Sequence, residues 1–157
     1  MNLKEKEFEK IYQTELIIYD MEKIIDSCPG DDNYHFVKQK WLIGKRLSQE
    51  EVRYQKHDGV ASIPLKEVAR HLIRRYSSLE YDVMCLKEDY VFYNTHLNLF
   101  ESNLHQDQRL LEWKQYRQLL DVQDAHCRRE LEEKTFIHCW NDKMLTFQIR
   151  AVSRTHE

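Results

Sequence analysis

Beyond Pro64 the chain runs for 93 residues without a glycine or a proline. Tight turns draw on those two residues, one for positive φ and the other for a fixed φ, so a succession of short strands and hairpins does not fit that stretch. The whole 157-residue chain holds only 3 glycines and 2 prolines, which argues against a sandwich, a barrel or a propeller anywhere in it. Charged residues make up 32%, yet 41% of the chain is apolar and 11% aromatic, too much for a disordered polymer. The sequence therefore predicts an all-α protein.

The two punctuated regions divide the N-terminal part. Over 3–27, Phe8, Ile11, Tyr12, Leu16, Ile18, Met21, Ile24 and Ile25 recur at steps of three and four, the spacing of a helix face. Ile17 and Tyr19 widen that arc, so this helix is expected to meet more than one neighbour. Cys28-Pro29-Gly30-Asp31-Asp32 stops it and offers an aspartate to cap the next helix, expected over 34–56. There Tyr34, Val37, Trp41, Gly44 and Leu47 form one stripe, and Ser48 to Glu51 has the spacing of a capping box that could restart the helix. A second break spans 57–64, with Ser62 as the expected cap and Pro64 in the first turn beyond it. The domain plan is an N-terminal helical pair over 1–57, a long element over 65–150 and a frayed tail over 151–157.

From Tyr76 onward the apolar positions are Leu79, Val83, Leu86, Tyr90, Tyr93, Leu97, Phe100 and Leu104, in alternating steps of three and four. Four heptads without a miss read as a coiled-coil seam. The pattern fails at 105–109 and resumes through Trp113, Tyr116, Leu120, Cys127 and Leu131, then Ile137, Trp140, Met144 and Phe147. Two arrangements fit: one very long helix, or an antiparallel helical hairpin turning near 105–108.

Charge is unevenly spread along the chain. Residues 1–36 carry 4 basic and 9 acidic side chains, a net of −5; residues 37–75 carry 10 and 4, a net of +6; the remainder carries 10 and 14, a net of −4. The basic block is expected to neutralise the acidic first helix. The competing reading is polyanion contact through Lys45, Arg46, Arg70, Arg74 and Arg75. A capped helix begins near Ser48, as in a helix-turn-helix, but the recognition helix that should follow has no room before the break at 57.

Chemistry finds little support. His126-Cys127 and His138-Cys139 lie 12 residues apart, roughly 18 Å on a straight helix, too far for ligands of one zinc ion. Glu67/His71 and Glu101/His105 are spaced i,i+4, whereas di-iron bundles use Glu-x-x-His. No phosphate loop or nucleophile elbow occurs. Cys28 stands in what reads as an exposed turn, but Asp26, Asp31 and Asp32 would oppose its thiolate. No catalytic, cofactor or metal residue is nominated. The N-terminus has no signal-peptide pattern, the longest apolar run covers only 16–19, and four scattered cysteines read as reduced thiols. A cytoplasmic or otherwise intracellular protein without membrane insertion is expected.

The sequence thus points to a non-enzymatic adapter, chaperone or scaffold subunit. It would bind another protein, or its own copy, through Tyr76, Leu79, Val83, Leu86, Tyr90, Tyr93, Leu97, Phe100 and Leu104. A small regulatory protein contacting nucleic acid through 38–75 is the alternative, and a bundle enzyme whose site forms only in three dimensions is a third class.

Overall fold

The computed structural model describes residues 2–55, 63–101 and 110–155. Among the described residues there are seven α-helices and no strand: α1 (Leu3–Ser27), α2 (Asn33–Gln55), α3 (Leu65–Tyr76), α4 (Val83–Thr95), α5 (Trp113–Leu120), α6 (Ala125–His138) and α7 (Asp142–Thr155), with one 3-10 turn at Leu79–Tyr81. The all-α class and the first two helices stand as read. Asp32 caps α2, its Oδ1 accepting the His35 amide at 2.9 Å, and α2 runs unbroken past Ser48, so no new helix starts there. The expected cap at Ser62 lies outside the described residues.

The very long helix or hairpin over 65–150 does not form. Its place is taken by α3 to α7, and the breaks are made without glycine or proline. Ser77 ends α3 in the left-handed region (φ 51°), and Cys139 does the same after α6 (φ 52°). Helices α4, α6 and α7 are each opened by a short acceptor side chain that takes an otherwise orphaned amide. Asp82 accepts the Cys85 N–H at 2.8 Å, Asp124 that of Cys127 at 2.9 Å, and Asn141 that of Met144 at 2.8 Å. At α5 the Glu112 amide is instead held by the Gln115 side chain, 3.2 Å away. Helix α7 also continues to Thr155, beyond the expected frayed start at 151, with Ile149 and Val152 packed on the core.

Two apolar clusters share α2 and α4 as a common wall. One gathers Ile17, Met21, Ile25, Ile43, Leu47, Val68, Leu72, Tyr81 and Leu86 from α1 to α4. The other gathers Val37, Trp41, Phe92, Leu111, Trp113, Tyr116, Leu119, Leu131 and Leu145. Gly44 sets the spacing of the wall. A Cβ there would stand 2.0 Å from the Asp89 carbonyl oxygen and 2.8 Å from Cβ of Tyr93. Only a residue without a side chain allows α2 and α4 this near approach. Asn33 fastens the start of α2 to the α5 entrance, donating to the Leu111 carbonyl (2.9 Å) and accepting from the Trp113 amide (3.2 Å).

Candidate functional site

The seam residues are divided among these elements. Leu86 is fully buried in the first cluster, with Tyr76, Val83 and Tyr90 packed partly against it; Tyr93 and Phe100 lean on the second cluster. Leu79 sits in the 3-10 turn and is 74% exposed, and Leu97 follows the end of α4 and is 51% exposed. Leu104 lies outside the described residues. Within α4 the stripe Val83, Leu86, Tyr90, Tyr93 is a true inward face. Its extension either way crosses a cap, so the heptad count runs over chain that is not one helix.

Part of that stripe opens onto a groove of about 710 Å³. Leu47 of α2, Leu65 of α3 and Val83, Leu86, Tyr90 and Val91 of α4 form its apolar lining together with Ile63 and Pro64. Among the described residues its charged lining is Lys10 of α1, Lys66 and Glu67 of α3 and Lys87 of α4, three cations to one anion. Lys66, Arg70 and Arg74 follow one another at i,i+4 along the exposed side of α3, prolonging the basic rim. Tyr90 donates its hydroxyl to Glu51, and burial together with that carboxylate pushes the phenol up to about 12. It stays a neutral donor with an apolar ring at physiological pH.

Three of the five candidate polyanion residues are paired inside the molecule. Arg46 lies between Asp20 of α1 and Glu50 of its own helix, both at 2.7 Å. Arg75 pairs with Glu22 and, at 3.3 Å, with Asp26, while His71 meets Glu22 at 2.7 Å. Lys45 reaches Glu101 at 3.0 Å and stands over the Trp41 ring. The expected neutralisation of the first helix is therefore present in the fold. Of the five candidate polyanion residues, Arg70 and Arg74 are exposed without an ion pair to a described residue.

A buried ion pair between α2 and α4 has no counterpart in the sequence pattern. Lys40 and Asp89 are 1% and 0% exposed, with Nζ 3.9 Å from Oδ2. Lys40 donates to the Glu80 carbonyl at 3.1 Å and lies against the rings of Phe36 and Tyr81 at 5.3 and 5.2 Å. Neither Asp89 oxygen has a hydrogen-bond partner among the described residues, and burial holds this carboxyl well above the usual range. A neighbouring cavity of about 500 Å³ is lined by Phe36, Gln39, Tyr76, Glu80 and Tyr81 but not by Lys40 or Asp89. A group that acts on substrate must reach it, and this pair is walled off.

The cysteines offer no activated thiol at three positions. Cys28 is buried, not exposed as its turn suggested, because its Sγ points inward to the His35 carbonyl (3.2 Å), and burial raises its pKa. Burial and the Asp82 hydrogen bond push Cys85 up to about 11, and burial followed by Asp124 raises Cys127. Among the described residues no group of three His, Cys, Asp or Glu side chains could hold a metal ion. His71 of the Glu67/His71 pair turns instead to Glu22, His138 stacks on Trp140 at 5.5 Å, and His105 lies outside the described residues. No described helix is long and apolar enough to cross a membrane. No protein-family model, no curated protein and no solved structure matches the chain.

Proposed function

We propose that this protein is a non-enzymatic helical adapter that docks an acidic amphipathic helix from a partner protein in the groove between α3 and α4. The observation that carries this reading is the combination of an open apolar trough with a cationic rim. Val83, Leu86 and Tyr90 form the wall of that trough, and Lys10, Lys66 and Lys87 stand at its edge. An amphipathic helix lays apolar residues at i, i+3, i+4 and i+7 into such a trough and keeps its charged flanks at the rim. The rim then selects glutamate and aspartate on those flanks and rejects lysine, which sets specificity and encounter rate more than affinity. Of the residues first read as a coiled-coil seam, Val83 and Tyr90 keep an interaction role in this proposal, Leu86 backs the trough from within the core, and Leu79 and Leu97 take no part.

A pair of fluorescent helical peptides tests it. Both carry the same leucine face, one with glutamate flanks and one with lysine flanks. The glutamate peptide is expected to bind more tightly by at least about tenfold. Val91→Glu, at a position already 41% exposed, should abolish binding without unfolding the protein. Equal affinity for the two peptides, or glutamate-peptide binding unaffected by Val91→Glu, overturns the proposal. So does salt-sensitive retention on heparin that Val91→Glu leaves intact while the peptides fail to bind, which is the outcome for a nucleic-acid protein acting through Arg70 and Arg74.

A further inference from the structure

Helix α1 has two apolar faces. Ile17, Met21 and Ile25 are buried in the first cluster. On the opposite side of the same helix lie Phe8 (74% exposed), Tyr12 and Tyr19 (both 56%), with Ile11 (59%) beside them. With 3.6 residues per turn, Lys4 and Glu15 fall on that outer side too, one at each end of the Phe8–Ile11–Tyr12 patch. Every residue from Asn2 to Tyr12 is exposed, so this part of α1 gains little from the body of the molecule. A capping box nevertheless fixes its first turn: the Glu5 amide donates to Asn2 Oδ1 at 2.8 Å and the Asn2 amide to Glu5 Oε2 at 3.1 Å. Three turns of helix are marginal in water on capping alone. An outward apolar stripe on them calls for a covering surface.

We infer that the cover is the same face of a second copy, paired antiparallel. In the register that sets Phe8 against Ile11 of the second copy, Lys4 falls opposite Glu15 of the second copy, and the two-fold repeats both contacts. A parallel pair would set Lys4 on Lys4 and Glu15 on Glu15, so the chain's own charges choose the antiparallel arrangement. This surface is isologous, as a two-fold dimer requires. It uses none of the α3 and α4 residues of the groove, so it stands or falls separately from the docking function. Little more than three turns of paired helix form a small interface, and the dimer is accordingly concentration-dependent.

Sedimentation equilibrium of the full chain, from about 1 µM to a few hundred µM, reads this directly. The mass is expected to climb from 19.3 kDa toward twice that value. Phe8→Asp should hold it at the monomer value with helix content and melting temperature unchanged, since Phe8 contributes to no core. Lys4→Glu should weaken association about tenfold by turning both end pairs repulsive, and Lys4→Glu with Glu15→Lys should restore it. A mass of 19.3 kDa at every concentration overturns the inference. So does dimerisation that survives Phe8→Asp, or a double charge swap no better than the single one. A monomer whose capture of the glutamate-flanked peptide is lost on Phe8→Asp also overturns it, because the stripe would then belong to the partner helix.

Discussion

Replacing Gly44 by alanine separates the close α2–α4 contact from ordinary helix energetics, because the two predict opposite signs. In the interior of a helix, glycine to alanine normally stabilises by about 1 kcal/mol. Here the new methyl would lie 2.0 Å from the Asp89 carbonyl oxygen, 2.7 Å from its carbonyl carbon and 2.8 Å from Tyr93 Cβ. Two of those atoms are backbone, and a carbonyl in the middle of α4 cannot rotate aside. The helices must move apart by roughly an ångström or more to reach van der Waals contact at about 3.5 Å. That loosens the packing of Leu86 and Phe92, both fully buried, and of the Lys40–Asp89 pair. Overpacking of this kind costs about 1–3 kcal/mol and occasionally more, and a clash with a helix-interior carbonyl belongs at the upper end. After the propensity gain, a net loss of about 2 kcal/mol is expected from the clash with this one carbonyl, a drop of about 4–8 °C in melting temperature for a chain of this size. Gly30→Ala is the control. Its Cβ would meet Cδ2 of Phe36 at 2.7 Å, but that ring is a half-buried side chain able to turn, so the change should stay within about 1 kcal/mol. Thermal unfolding followed by circular dichroism decides the matter. A Gly44→Ala variant as stable as the parent, or more stable, would refute the close approach.

The remaining expectations concern the buried pair and the divided seam. Asp89 is easier to protonate in the folded chain than in the unfolded one, so its contribution to stability is complete at low pH. It is lost as pH rises from the ordinary carboxylate pKa through the raised one, by up to about 1.4 kcal/mol per pH unit. Asp89→Asn lacks that loss, so its melting temperature minus that of the parent should rise between about pH 4 and pH 8; a difference that falls with rising pH instead means that the Lys40 attraction outweighs burial. Leu86→Asp should unfold the protein, since losing a buried leucine alone costs about 2–5 kcal/mol and an unpaired carboxylate adds to it. Leu79→Asp, at a 74% exposed position, should change stability by about 0.5 kcal/mol or less. Equal damage from the two would favour an unbroken heptad seam.

These contrasts mark what was legible in the sequence. Period and punctuation sufficed for α1 and α2, because Pro29-Gly30 and Asp32 announce the break and Val37, Trp41, Gly44 and Leu47 hold one face. The breaks after Tyr76 were hidden because they rely on Ser77 and Cys139 in left-handed conformations, where glycine would have been the usual signal. The signal that was present is quieter: Asp82, Asp124 and Asn141 each stand at the head of a helix and accept the amide three residues on. Charge blocks revealed that α1 and the basic segment attract, but not that Arg75 would find Glu22 while Arg70 and Arg74 faced outward. Nothing in the spacing around Lys40 and Asp89 announces their burial. Only the close packing around Gly44, a tertiary fact, buries them. The groove was partly visible in Val83, Leu86 and Tyr90, whereas Leu47 and Leu65 joined it through folding.

Amide chemical-shift mapping of the 15N-labelled protein during titration with the glutamate-flanked peptide tests the docking role most directly. Saturable shifts are expected at Val83, Leu86, Lys87, Tyr90 and Val91 on α4 and at Leu65 and Lys66 on α3, all of which line the groove. Shifts centred on another exposed apolar patch, such as Ile137, Met144 and Phe147, or no saturable shift at millimolar peptide, would contradict it.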